Sequence, residues 1–181
     1  MGKQLQSLTP QLTEFIQQQK IFFVGTAMDK GRVNISPKGL DTLRILDPNK
    51  LLWLNLTGSG NETATHLKYN NRITIMFCAF EGAPMILRLY GNATVFHEND
   101  DLFQAHYSQF PNILGVRQII EVDFDLVQTS CGFAVPLMDF NSDRTLLHTW
   151  AEKKGDIGIK EYWKEKNSIS LDGHNSGILK E

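Results

Sequence analysis

With 181 residues, 41% of them hydrophobic and 21% charged, and a formal net charge of -2, the chain has globular composition and room for one ordinary domain with its own core. The near-neutral balance gives no electrostatic reason to expect nucleic acid or an anionic membrane as partner, and no run of about eighteen apolar residues is present to span a bilayer. The N-terminus carries Gln, Ser and Thr where a secretion signal needs an unbroken apolar core, and Cys78 and Cys131 lie in apolar segments without metal or redox spacing, so a soluble cytoplasmic protein with reduced thiols is expected.

Thr9-Pro10 ahead of Leu12, Phe15 and Ile16 supplies an N-cap, a proline at the first helical position and an apolar stripe at helical spacing, which predicts a short amphipathic helix. Ile21 to Met28 is β-rich, Asp29-Lys30-Gly31 is a turn signal, and Arg32 to Ser36 alternates polar with apolar residues; the pair reads as a hairpin. Ser36-Pro37-Lys38-Gly39 cannot continue a central strand because proline has no N–H. A connection through Leu43 to Leu46 and an Asp47-Pro48-Asn49 turn follow.

Leu51 to Leu56 is an apolar run of strand length, and it stops at Thr57. Ser59-Gly60-Asn61-Glu62 has the spacing of a capping box, so a helix is expected from near Gly60 to Asn70. Its first turn would offer unpaired N–H groups and a dipole end beside the hydroxyls of Thr57, Ser59, Thr63 and Thr65, a setting that suits a phosphate and equally an ordinary strand-to-helix turn.

Arg72 to Phe80 reads as an apolar strand, Glu81-Gly82-Ala83-Pro84 as a turn and Met85 to Phe96 as a long strand with Arg88, Tyr90 and Asn92 on one face and Leu87, Leu89 and Ala93 on the other. Asn99-Asp100-Asp101 caps a helix carrying Leu102, Phe103, Ala105 and Tyr107, and Val116 to Val127 returns to strand. The tail predicts two helical pieces, Asp143 to Lys153 and Asp156 to Lys166, parted at Gly155. With about six strands, mostly joined by short turns, the expectation is a mainly β protein: a closed or nearly closed antiparallel barrel with peripheral helices. A single domain is expected over 1–181, its barrel core over about 20–140 and a helical tail over 141–181.

Common catalytic signatures are missing. Gly58-x-Gly60 with Glu81 mimics a dinucleotide fingerprint, but Thr63 takes the third glycine position and no second βαβ unit follows. No P-loop or GxSxG elbow occurs, and the histidines at 66, 97, 106, 148 and 174 lack ligand spacing and read as surface or capping residues. Asn34, Ser36 and Lys38 alternate to one side of a strand end, and Trp53 offers a ring face; this set suits a planar, phosphate-bearing cofactor, and also fits solvated hairpin charges over a core tryptophan.

The segments GRVNISPKGLDTLRILD, LLWLNLTGSGNETATHL, RITIMFCAFEGAPMILRLYGNATV and SCGFAVP resemble the pyridoxamine 5'-phosphate oxidase-like FMN-binding proteins of split β-barrel fold, over roughly residues 20 to 140, and match a subgroup sharing SPKG, LTGSGxET and ILRLYG. The resemblance implies a homodimer holding two FMN molecules in clefts between its subunits. It implies that Asn34, Ile35, Ser36 and Lys38 line the isoalloxazine, that Trp53, Leu54 and Asn55 contact the flavin from the next strand, and that Thr57, Ser59, Asn61 and Thr63 take the phosphate. Where the oxidases present an Arg-Lys pair to the phosphate, this chain has hydroxyls and an amide, so the countercharge must come from Arg88, Lys38, the partner chain or the helix terminus. The family's arginine at the position of Val33 is absent. The implied function is an FMN-dependent oxidoreductase acting on a small-molecule substrate or electron donor, with Lys38 tuning the reduced flavin; the alternative is a non-catalytic flavin- or heme-binding carrier or sensor.

Overall fold

The computed structural model describes residues 2–179; Met1, and Lys180 and Glu181 at the end of the expected tail, lie outside the described residues. In chain order the elements are β1 (Gln4–Leu5), α1 (Pro10–Gln18), β2 (Phe22–Thr26), β3 (Asn34–Lys38), β4 (Leu43–Asp47), β5 (Lys50–Leu56), α2 (Glu62–Tyr69), β6 (Arg72–Cys78), β7 (Ile86–His97), α3 (Asp101–Tyr107), β8 (Val116–Ser130) and α4 (Leu146–Tyr162). The eight strands form one antiparallel sheet in the order β3-β2-β6-β7-β8-β5-β4, with β1 pairing along β8.

The sheet curls into a barrel. β2 and β5 stand four places apart in the ladder, about 19 Å if the sheet were flat, yet the rings of Phe22 and Trp53 meet edge-on with centroids 6.2 Å apart. They meet across an interior filled by Val24, Leu51, Ile75, Phe77, Leu87, Leu89, Ile120, Val122 and Val127. Within each strand they recur at every second position, as the pleat requires, except that the register shift opposite Gly91 moves β8 on by one residue before Val127. Leu52, Leu54 and Ile119 point the other way and are buried against Phe103 and Phe110, from α3 and the loop after it. Cover on both faces is why Leu51 to Leu56 is apolar without alternation.

The barrel is split rather than closed: among the described residues no ladder joins the edge strands β3 and β4. β3 runs through Pro37, which it can do because it lies at the edge and one face of its ladder needs no N–H. At Gly91 the β7–β8 register shifts, and a side chain there would collide with the Asp123 carbonyl, so only glycine permits the crossing.

Several expectations are corrected. Among the described residues there are eight strands, not about six; the connection read over Leu43 to Leu46 belongs to β4, which runs on to Asp47 and pairs with β5, and the two-residue β1 gave no sequence signal. The capping box does not form: α2 starts at Glu62 with Asn61 at its N-cap, so Glu62 sits one residue past the cap, too early to reach back. Its Oε1 accepts from the Leu171 N–H at 3.0 Å instead. His66 is neither a surface nor a capping residue: it is buried in α2, its Nδ1 3.1 Å from Thr26 Oγ1.

The tail follows its predicted break. α4 is interrupted at Gly155, whose φ of 60° takes the left-handed region glycine tolerates, and a π-helical turn over Trp163–Asn167 continues it. Beyond, Ile169 and Asn175 bridge, and the Arg32 guanidinium and N–H both reach the Asp172 carboxylate, tying the tail to the β2–β3 hairpin. The carboxylate is held below its ordinary range by those contacts.

Candidate functional site

Two clefts meet at Lys38. One, about 440 Å³, is lined by Lys38, Thr42, Trp53, Leu54, Thr57 and the segment from Asp143 to Leu147. The other, about 490 Å³, shares Pro37, Lys38, Gly39, Asp143 and Arg144 with it and adds Phe80, Met138 and Phe140. Lys38 closes β3, after which the chain turns sharply through Leu40 in the left-handed region at φ 62°. The Thr42 hydroxyl fixes that turn by donating to the Gly39 carbonyl at 2.8 Å. A non-glycine residue held there stores strain at the cleft wall.

The Lys38 ammonium stands 4.9 Å over the centre of the Trp53 ring. Burial pushes its pKa down from 10.5 to about 8, and the Arg117 guanidinium pushes the same way. The result is a lysine with its pKa lowered to about 8, facing an aromatic and aliphatic wall.

Of the residues singled out from sequence, Lys38, Trp53, Leu54 and Thr57 come together around the first cleft. Trp53 belongs largely to the core, and its contact upward is with Lys38. Asn34, Ser36 and Thr63 form a separate polar link, with the Asn34 amide donating to Ser36 Oγ and Thr63 Oγ1, each at 3.1 Å. Asn55 is buried and donates to Gln118 Oε1 at 2.8 Å across the β5–β8 ladder. Asn61 is buried with neither amide atom bonded among the described residues, whereas Ser59 is exposed on the turn. Ile35 and Arg88 stand apart from the rest, in an outer groove of about 620 Å³ with Phe23, Met76 and Tyr90, where Arg88 donates to Ser130 Oγ at 3.1 Å.

The turn after β5 is held from below by residues the sequence reading passed over. Thr57 Oγ1 donates to the Gly115 carbonyl and accepts from Trp163 Nε1, both at 2.8 Å. Asn167 Nδ2 donates to the Gly58 carbonyl at 3.1 Å, and Arg117 Nη1 donates to the Gly60 carbonyl at 2.8 Å. Burial pushes the Arg117 guanidinium down to about 10. Nothing in the sequence singled it out, because β8 also carries Glu121, Asp123 and Asp125. Among the described residues, no group of three or more His, Cys, Asp or Glu side chains is arranged to hold a metal.

Residues 8–131 match the family profile described as pyridoxamine 5'-phosphate oxidase. The chain is 37% identical over 186 aligned residues to the pyridoxamine 5'-phosphate oxidase family protein ustO of Aspergillus flavus, covering 93% of this chain and 75% of that protein. Among solved structures, a pyridoxamine 5'-phosphate oxidase candidate from Lactobacillus delbrueckii superposes with a TM-score of 0.54 at 18% identity, over 68% of this chain and 94% of that one. A FAD-binding protein from Mesorhizobium loti superposes with a TM-score of 0.51 at 10% identity, over 71% and 95%. At those identities the two structures speak for the split-barrel fold alone.

Proposed function

Because the chain belongs to the pyridoxamine 5'-phosphate oxidase family, we propose that it is a flavoprotein that binds FMN and acts as an FMN-dependent oxidoreductase on a small molecule. The observation that carries this reading is Lys38: an ammonium with a depressed pKa, above an aromatic ring, at the junction of two clefts large enough together for a cofactor and a small co-substrate. Bound FMN would supply the hydride or electron transfer itself.

The residues present fit such a group. Leu54, Trp53 and Lys38 give the first cleft an apolar wall with a cation on it, which favours the electron-rich, anionic reduced form of a flavin ring. Thr57, Ser59, Asn61 and Thr63 surround the start of α2, and the unbonded amide of buried Asn61 is a polar group awaiting a partner. Asn34 and Ser36 extend the polar side along β3, and buried Asn55 carries an unbonded amide oxygen. Ile35 and Arg88 line the outer groove with exposed Val33 (69%) and Ile35 (70%), an apolar surface suited to a second copy of this chain. A homodimer would bring that surface and the cofactor clefts of two subunits together. Among the described residues no helix is long and apolar enough to cross a membrane.

The test is spectroscopic. Purified protein should carry or take up FMN, bleach under NADH or NADPH and recover in air. Protein that holds FMN but is never reduced by either nucleotide, or that shows heme absorbance instead, would favour the carrier or sensor. A preparation with no affinity for FMN refutes both. Sedimentation or light scattering should give a dimer, and Ile35→Glu should convert it to monomer.

A further inference from the structure

Arg117 is 4% exposed at the start of β8, and among the described residues no carboxylate lies within ion-pair distance of it. Buried cations are ordinarily matched by an anion. Here the guanidinium is held by neutral oxygens: Nη1 donates to the Gly60 carbonyl at 2.8 Å and to Asn167 Oδ1 at 2.7 Å, while Nε has no partner. Asn167 is wholly buried and serves both sides, since its Nδ2 donates to the Gly58 carbonyl at 3.1 Å and its own carbonyl accepts from Ser176 Oγ at 2.6 Å.

The two carbonyls so held belong to alternate residues of the turn. In a trans peptide the C=O and the next N–H point in opposite directions. Binding the Gly58 carbonyl to Asn167 and the Gly60 carbonyl to Arg117 therefore aims the Ser59 N–H away from Asn167 and the Asn61 N–H away from the guanidinium, leaving two donors of the kind that cradles an anion. Beside them Asn61, 2% exposed, leaves both amide atoms unbonded at the N-cap of α2. A buried cation lacking an anion and a buried amide lacking a partner thus flank one set of oriented N–H groups. The field of Arg117 extends to the cleft, where it acts on Lys38.

We propose that Arg117, positioned by Asn167 from the C-terminal tail, is the countercharge that makes the turn from Gly58 to Asn61 select a phosphorylated flavin over its unphosphorylated form. The inference rests on the flavin reading and goes beyond it, because it assigns the phosphate's charge compensation to a residue under the turn and makes cofactor retention depend on the tail. Arg117 is a positioning residue here: it orients the donors and supplies positive potential without needing to touch the ligand.

The experiment compares FMN with riboflavin, which share a ring system and differ in the phosphate. Wild-type protein should bind FMN at least a hundredfold more tightly than riboflavin, with the FMN affinity alone falling as salt rises. Arg117→Gln, and Asn167→Asp, which keeps the acceptor for Arg117 but places a carboxylate on it, should each weaken FMN at least tenfold and leave riboflavin within twofold. Arg117→Lys should retain more of the preference than Arg117→Gln. Thermal melting of each variant identifies any that fails to fold; should Arg117→Gln be one, Asn167→Asp and the wild-type ratio still decide. An unchanged FMN-to-riboflavin ratio in folded variants, or equal loss of both ligands, overturns the assignment. Wild-type protein that binds the two flavins equally overturns it while leaving the flavin reading intact, and wild-type protein that binds neither refutes the flavin reading itself.

Discussion

Replacing Lys38 by methionine isolates the cost of keeping a cation in the cleft. The fall of its pKa from 10.5 to about 8 corresponds, at about 1.4 kcal/mol for each pKa unit, to roughly 3 kcal/mol against the charged form in the folded state. This is an upper figure, because the side chain keeps some solvent contact. Since the folded pKa lies below the unfolded one, the native state carries the full penalty below pH 8. Between pH 8 and 10.5 the unfolded chain holds more protons than the native one, so the contribution of this group to stability rises with pH across that window. Methionine keeps the stem's length and apolar contacts but forgoes the ammonium's attraction to the Trp53 ring, about 1 kcal/mol. The expected outcome for apo protein is that Lys38→Met is more stable than wild type by about 1–2 kcal/mol at pH 7, with the difference vanishing towards pH 10. Urea unfolding of both proteins at several pH values reads it directly. A variant that is destabilised at pH 7, or a difference that does not change with pH, would refute the account of Lys38 as a cation kept in the cleft at the expense of stability.

Other substitutions probe the frame and the site. With FMN bound, Lys38→Met should lower the flavin's two-electron potential by about 20–60 mV, taking 1–3 kcal/mol for the lost cation; potentiometric titration measures it. Gly91→Ala forces a methyl group into the Asp123 carbonyl and should cost at least about 3 kcal/mol, seen as loss of soluble protein or a steep fall in Tm. Thr26→Val leaves buried His66 Nδ1 without its partner and should cost about 1–3 kcal/mol in denaturant unfolding with an unchanged m-value. Trp163→Phe removes the donor to Thr57 Oγ1 and some ring volume; a loss of about 1–3 kcal/mol is expected, with faster amide exchange concentrated in 163–176.

Elements whose signal is local were legible. Thr9-Pro10 marked α1, whose cap forms with Thr9 Oγ1 accepting from the Leu12 N–H, and Gly155 marked the break in α4. The alternation of β7 set Leu87 and Leu89 inward and Arg88 and Tyr90 outward, as the strand requires. Elements defined by their partners were not legible. β4 is a five-residue strand with charged Arg44 and Asp47 in it, and only its ladder with β5 identifies it. The open seam of the barrel depends on long-range pairing that no turn encodes. At the site, Lys38 could be singled out by its place at a strand end, but its low pKa depends on burial in the folded chain and on Arg117, which arrives from β8. The capping-box pattern misled, because Ser59 stays exposed and Glu62 finds a partner in the tail.

Thr57 and Trp163 are 106 positions apart, and Gly58 and Asn167 are 109 apart. A polypeptide made from its N-terminus can fold most of the sheet as soon as β8 has emerged from the ribosome, yet the turn after β5 cannot be locked until residues near 170 follow. The order of synthesis thus places the locking of this turn after the folding of the sheet, and premature termination near residue 145 would release a barrel whose turn lacks its clasp.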